Sequence, residues 1–174
     1  MPDQFNPPYS VVRKPGSTSM GYRTTSVFDA GGRVTNTINE DGRITTTVYD
    51  KVSRTLSVTN PLLQTQSYDY DNAGRETLRI DARGLRTTYS YDKVDRQTLR
   101  HYQDGTRATQ VYDAVGNRTL LHDQTGRYTT TYDNLNRPQT TQDPGPGSRT
   151  ITLTYDKVSQ RSAMDVPDVG RVTY

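Results

Sequence analysis

The chain has 174 residues, of which only 30% are hydrophobic, against roughly 45–50% in typical globular domains; a thick conventional core is excluded. Its 22 basic and 19 acidic residues leave a net charge of +3 spread along the sequence, too balanced for a block that binds nucleic acid. There is no cysteine, hence neither a disulfide framework nor a thiolate metal site, and no apolar run suits a signal peptide or a membrane-spanning helix.

The hydrophobicity alone would fit disorder, but 13 tyrosines and many threonines and valines do not, because disordered segments are poor in aromatic and β-branched residues. Both types favour strands. Residues 1–20, rich in proline and serine, are expected to form an unstructured leader. From Gly21 to Tyr174 the chain reads as a single repeating array.

In chain order, aromatic-aspartate pairs stand at Phe28-Asp29, Tyr49-Asp50, Tyr70-Asp71, Tyr91-Asp92, Tyr112-Asp113, Tyr132-Asp133 and Tyr155-Asp156, at intervals of 21, 21, 21, 21, 20 and 23. A glycine precedes most of the aromatics by seven residues, at Gly21, Gly42, Gly84 and Gly105, by six at Gly126 and by eight at Gly147. Leu63 replaces it once, where Asn60-Pro61 is expected to make the turn instead. An arginine follows the aromatic by five residues at Arg33, Arg54, Arg75, Arg96 and Arg137, and by six at Arg118 and Arg161. Just ahead of that position sits Gly32, Ser53, Gly74, Asp95, Gly116, Asn136 or Ser159, a set rich in types that tolerate left-handed backbone or cap turns.

Between these two turn signals the segments alternate. Tyr89 with Tyr91, and Leu78 with Ile80, fall on one face of a strand of period two. Each unit is therefore strand, turn, strand, turn, and the predicted fold is all-β: about seven 21-residue β-hairpin repeats in an extended, twisted antiparallel sheet, each repeat burying part of its neighbour. The array is expected to end in mid-repeat at Tyr174, and so long a sheet with exposed edges is expected to be marginally stable or self-associating in isolation.

Written as G-R-x-T-T-x-Y-D-x-x-G-R, as in Gly42-Arg43-Ile44-Thr45-Thr46-Thr47-Val48-Tyr49-Asp50, the repeat resembles the Rhs/YD-repeat family, which includes bacterial Rhs and wall-associated proteins, toxin-complex shell proteins and teneurins. The resemblance covers roughly residues 21–174 and rests on three phased markers. It implies a repeat segment of a β-sheet shell or scaffold that encloses a C-terminal toxin domain or supports adhesion, with further repeats, or that toxin and its core segment, as partners, and a secreted or surface location. Asp143-Pro144-Gly145 sits at the repeat's own turn position, so no autoproteolysis is carried onto it.

Candidate sites divide between architecture and chemistry. The tyrosines could offer aromatic platforms for carbohydrate or a receptor; as architecture, they would stack on equivalent rings of the next hairpin, about 5 Å away. The aspartates and arginines could be acid-base groups; as architecture, the carboxylates cap turns and pair with arginines nearby or in the adjacent repeat. Since every unit holds the same groups, whereas catalysis needs groups whose environments differ, no catalytic residue is assigned and no enzyme is expected. His101 and His122, 21 residues apart, are too few for a zinc site. No cofactor motif is present.

Overall fold

The computed structural model describes residues 9–10, 24–145 and 147–174, with only the backbone of Tyr9 and Ser10. Among these residues there are strands and turns but no helix, and none therefore long and apolar enough to cross a membrane. The chain divides into two compact units that meet at Arg86 and Thr87.

The first unit holds β1 (Tyr9–Ser10), β2 (Thr25–Phe28), β3 (Val34–Ile38), β4 (Ile44–Tyr49), β5 (Thr55–Thr59), β6 (Thr65–Tyr70) and β7 (Glu76–Ile80), each paired antiparallel with the next. The second holds β8 (Arg86–Tyr91), whose paired residues begin at Thr87, then β9 (Gln97–Tyr102), β10 (Arg107–Tyr112), β11 (Arg118–Asp123), β12 (Gly126–Tyr132), β13 (Pro138–Gln142), β14 (Thr150–Tyr155), β15 (Arg161–Val166) and β16 (Gly170–Thr173), again antiparallel in sequence order. The fold is the all-β array of hairpins that the spacing predicts. Strands β2 to β15 are the fourteen of seven hairpins, and β1 and β16 add one at each end. Of the expected leader only Tyr9–Ser10 is described, as β1; the rest of residues 1–20, and Gly21, lie outside the described residues.

Two kinds of turn share one construction. After each YD pair the aspartate N–H bonds the carbonyl four residues on, and a residue with positive φ follows a type I turn: Asp29 N–H to Arg33 O at 2.9 Å and Gly32 N–H to Asp29 O at 3.0 Å, with Gly32 at φ 77°. That is the three-residue hairpin loop closed by a left-handed residue. A register shift beside the aromatic, as between Val48 and Tyr49, accommodates the extra residue. The glycine turns repeat the pattern, with Asn39 N–H on Arg43 O and Gly42 at φ 74°.

Loop length accounts for the two irregular intervals. Asp123 pairs directly with Gly126 across a two-residue loop, one residue short, which gives the interval of 20. Asp143 N–H bonds Arg149 O across five residues, two too many, which gives 23.

Among the described residues Ala163 alone is fully buried, and most strand residues are half-buried. The period-two alternation places Tyr49, Tyr68 and Tyr70 on one face of the first unit, and Tyr89, Tyr91, Tyr102, Tyr112, Tyr128, Tyr132 and Tyr155 on one face of the second. In each unit these phenol rings are thus gathered on a single side.

Candidate functional site

In five of the repeats the marker aspartate and arginine meet at the YD turn. The first carboxylate oxygen of Asp50 accepts the N–H groups of Val52 and Arg54, both at 2.9 Å, and the second accepts Arg54 Nε at 2.6 Å. Asp29, Asp71, Asp92 and Asp133 repeat this with Arg33, Arg75, Arg96 and Arg137 at 2.6–2.7 Å. The carboxylate thereby satisfies the donors inside the turn and fixes the guanidinium plane.

The same guanidinium then reaches into the next repeat. Arg33 Nη1 donates to Asp50 O at 2.7 Å, Arg54 Nη1 to Asp71 O at 3.0 Å and Arg96 Nη1 to Asp113 O at 3.1 Å. Each also lies over the next YD ring: Arg33 over Tyr49 at 5.0 Å, Arg54 over Tyr70 and Arg96 over Tyr112 at 4.8 Å, Arg137 over Tyr155 at 4.4 Å, within the range of a cation–π contact. The ring hydroxyl closes the circuit backwards. Tyr49 donates to Val34 O at 3.0 Å, Tyr70 to Thr55 O at 2.9 Å, Tyr112 to Gln97 O at 3.1 Å, Tyr132 to Arg118 O at 3.1 Å and Tyr155 to Pro138 O at 2.8 Å. One arginine and one tyrosine therefore staple consecutive hairpins together through three kinds of bond.

This corrects the expectation that equivalent rings stack at about 5 Å. Tyr49 faces Thr55 across the ladder, and two strand spacings, about 10 Å, separate one YD tyrosine from the next. A guanidinium fills the gap. A second correction concerns the slipped arginines. In the fifth unit Asn117 takes the arginine's place, with its N–H on Asp113 Oδ1 at 2.8 Å and its amide on Asp113 Oδ2 at 2.9 Å. In the seventh, Gln160 N–H bonds Asp156 Oδ1 at 2.8 Å. Arg118 turns instead to Gln110, and Arg161 lies over the Tyr174 ring at 5.6 Å.

Asp29, Asp50, Asp71, Asp92 and Asp133 are held below the usual carboxylate range. For Asp29 the leading cause is the Arg33 N–H bond; for Asp71 and Asp133 it is the side-chain bond from Arg75 and Arg137. At Asp50 and Asp92 partial burial is the largest single effect and pushes upward, but the bonds from Arg54 and Arg96 outweigh it. Carboxylates held ionised in this way suit capping rather than proton transfer at neutral pH.

Three caps absent from the sequence reading belong to the glycine turns. Asn39, Asn60 and Asp81 each accept two turn N–H groups, as Asn60 does from Leu62 at 2.9 Å and Gln64 at 3.0 Å. They stand 21 residues apart, so the spacing that reveals the YD pairs also marks them. Leu63 itself takes the glycine's conformation, at φ 60°, and Asn60-Pro61 opens that turn rather than replacing it. His101 and His122 lie on different strands with Arg107 and Thr109 as their partners on the β10 between them, and no group of three metal-ligating residues occurs among the described residues.

No family model and no curated protein matches the chain. Solved structures do. A chain of the Photorhabdus luminescens Tc holotoxin pore superposes with a TM-score of 0.68 over 95% of this chain at 19% identity. A TcdB2-TccC3 structure does so with a TM-score of 0.68 over 87% at 21% identity. The chain shares its fold with part of those toxin-complex chains. The segment spans about a tenth of those longer chains, 11% and 10% respectively, and at this identity the likeness is one of fold.

Proposed function

We propose that the segment is a non-catalytic structural part of an Rhs-like protein, contributing to a β-sheet shell or scaffold that encloses a toxin domain. The observation that carries this reading is the staple. The aspartates, arginines and tyrosines that give the repeat its chemical character are bonded to turns and to adjacent hairpins, with the same role in repeat after repeat, so they are spent on architecture. The solved chains of similar fold belong to toxin complexes, which supports the enclosing role.

The test uses the full-length product of the gene. Limited proteolysis of the wild type is expected to leave the chain beyond the repeats uncut, and the double variant Arg54→Ala, Arg96→Ala to expose it, because two staples are lost. A wild type in which that region is cleaved as fast as in a denatured control contradicts the enclosing role.

A further inference from the structure

The two rims of the sheet carry turns of the same build and different residues. In the second unit the middle position of the YD loops holds Val94, Val115, Leu135 and Val158, exposed by 65 to 73%, in turns whose chemistry favours asparagine, aspartate, glycine and serine. The glycine-turn loop of like construction, residues 103–105, holds Asp104 at that position. Turn geometry therefore does not account for the aliphatic row. The lysines follow the same rule. Of the chain's four, Lys51, Lys93 and Lys157 each stand directly after a YD pair. Lys93 and Lys157 are exposed, and neither ammonium has a partner among the described residues.

The opposite rim is acidic where this one is basic. The YD loops of the second unit carry Lys93 and Lys157 against one acid, Asp95, whereas Asp104 and Asp168, both exposed, are the only charges in the loops 103–105, 124–125 and 167–169. The arginines that follow those loops stand on strands, Arg107 opposite His101, Arg127 opposite His122 and Arg171 beside Asp165 at 3.7 Å. The spacing matches as well. Lys93 and Lys157 lie 64 residues and three hairpins apart, and so do Asp104 and Asp168. Both rims repeat every two strands, about 10 Å. The YD rim of one copy, laid parallel on the glycine rim of another, thus brings Lys93 to Asp104 and Lys157 to Asp168 in a single register. Val158 then meets Val169, itself 70% exposed.

From this we infer that the two rims of the second unit are complementary surfaces for a second copy of this chain, which stacks parallel and in step, YD rim on glycine rim. Contact between two YD rims would set lysine against lysine, and pairing of strand edges would leave the valines uncovered. A contact between unlike rims leaves one of each free, so it continues into a stack. Being a line of turns rather than a broad face, it belongs to the weak class of interface.

Sedimentation velocity of the 174-residue chain, from about 10 µM to about 1 mM, covers the range expected of so narrow a contact. The average mass should rise with concentration and pass beyond a dimer. Lys93→Glu with Lys157→Glu breaks no bond within the chain and sets like charges opposite one another, so association should weaken at least about tenfold. Asp168→Lys, which leaves the bonds of Asp104 to Thr106 intact, should weaken it too. An equimolar mixture of these two variants should associate more tightly than either alone, because the two reversed rims meet. Arg127→Glu, off the rim, should behave like the wild type. The inference is overturned by a chain that stays monomeric at the highest concentration, or by undiminished association of the lysine variant, which would assign self-association to strand pairing at β16. It is overturned equally by a mixture no tighter than its parts when circular dichroism shows both variants folded.

Discussion

At the scale of the residue, the repeat works because one side chain does several things. Asp50 caps its turn and orients Arg54; Arg54 then serves the next turn and the next ring. The substitution of Tyr49's equivalent by Phe28 shows how the parts separate: Phe28 has no hydroxyl to donate, while Asp29 and Arg33 keep their bonds at 2.7–3.0 Å. Leu63 is the residue least suited to its backbone, with φ at 60° and a side chain 84% exposed. A leucine in that region gives up about 1–2 kcal/mol, so Leu63→Gly should raise stability by about 1 kcal/mol, read from the shift in a urea unfolding midpoint. Titration gives a second expectation. Because Asp29, Asp50, Asp71, Asp92 and Asp133 titrate below the ordinary aspartate value when folded, they bind fewer protons folded than unfolded near pH 4. Their contribution is complete above the unfolded value and is lost as pH falls through the lowered folded values. The melting temperature should therefore be insensitive to these groups from about pH 7 to 5 and fall below about pH 4, as circular dichroism would show.

At the scale of the element, hairpins are fixed by their turns, and the turns were largely legible. The residues ahead of the arginine, Gly32, Ser53, Gly74, Asp95, Gly116, Asn136 and Ser159, all have positive φ, and residue types with a place in such turns had marked them. Less legible was anything that depends on which repeat a side chain reaches. A period of 21 says that Tyr49 and Arg54 recur, not that Tyr49 answers to Arg33 one repeat earlier, because that pairing follows from the strand width and the length of the arginine. The slip of Arg118 misleads for the same reason: position, not residue type, selects the aspartate's partner, and Asn117 holds the position. Gly126 is a third case. Its φ is 130°, and a Cβ there would overlap the ring of Pro144, a contact between loops 18 residues apart that no local pattern reveals. Gly126→Ala should cost about 1–3 kcal/mol from backbone conformation alone, with more from the proline. Thermal unfolding monitored at β11 and β12 would show it.

At the scale of the molecule, stability has no core to rest on. With Ala163 alone fully buried among the described residues, cohesion within each unit comes from the strand ladders and from the staples that tie one hairpin to the next, much as nearest-neighbour terms hold a repeat protein. Composition foretold this lack of a core, and the rings gathered on one face of each unit show how so few apolar residues suffice. The central claim is that each staple acts across repeats. Amide hydrogen exchange on Arg96→Gln tests it most directly: protection should fall at its own turn around Asp92 to Arg96 and also at the following turn around Asp113 to Asn117, where Arg96 Nη1 and the Tyr112 ring are bonded. A loss confined to the Asp92 turn, with the Asp113 turn as protected as in the wild type, would contradict it.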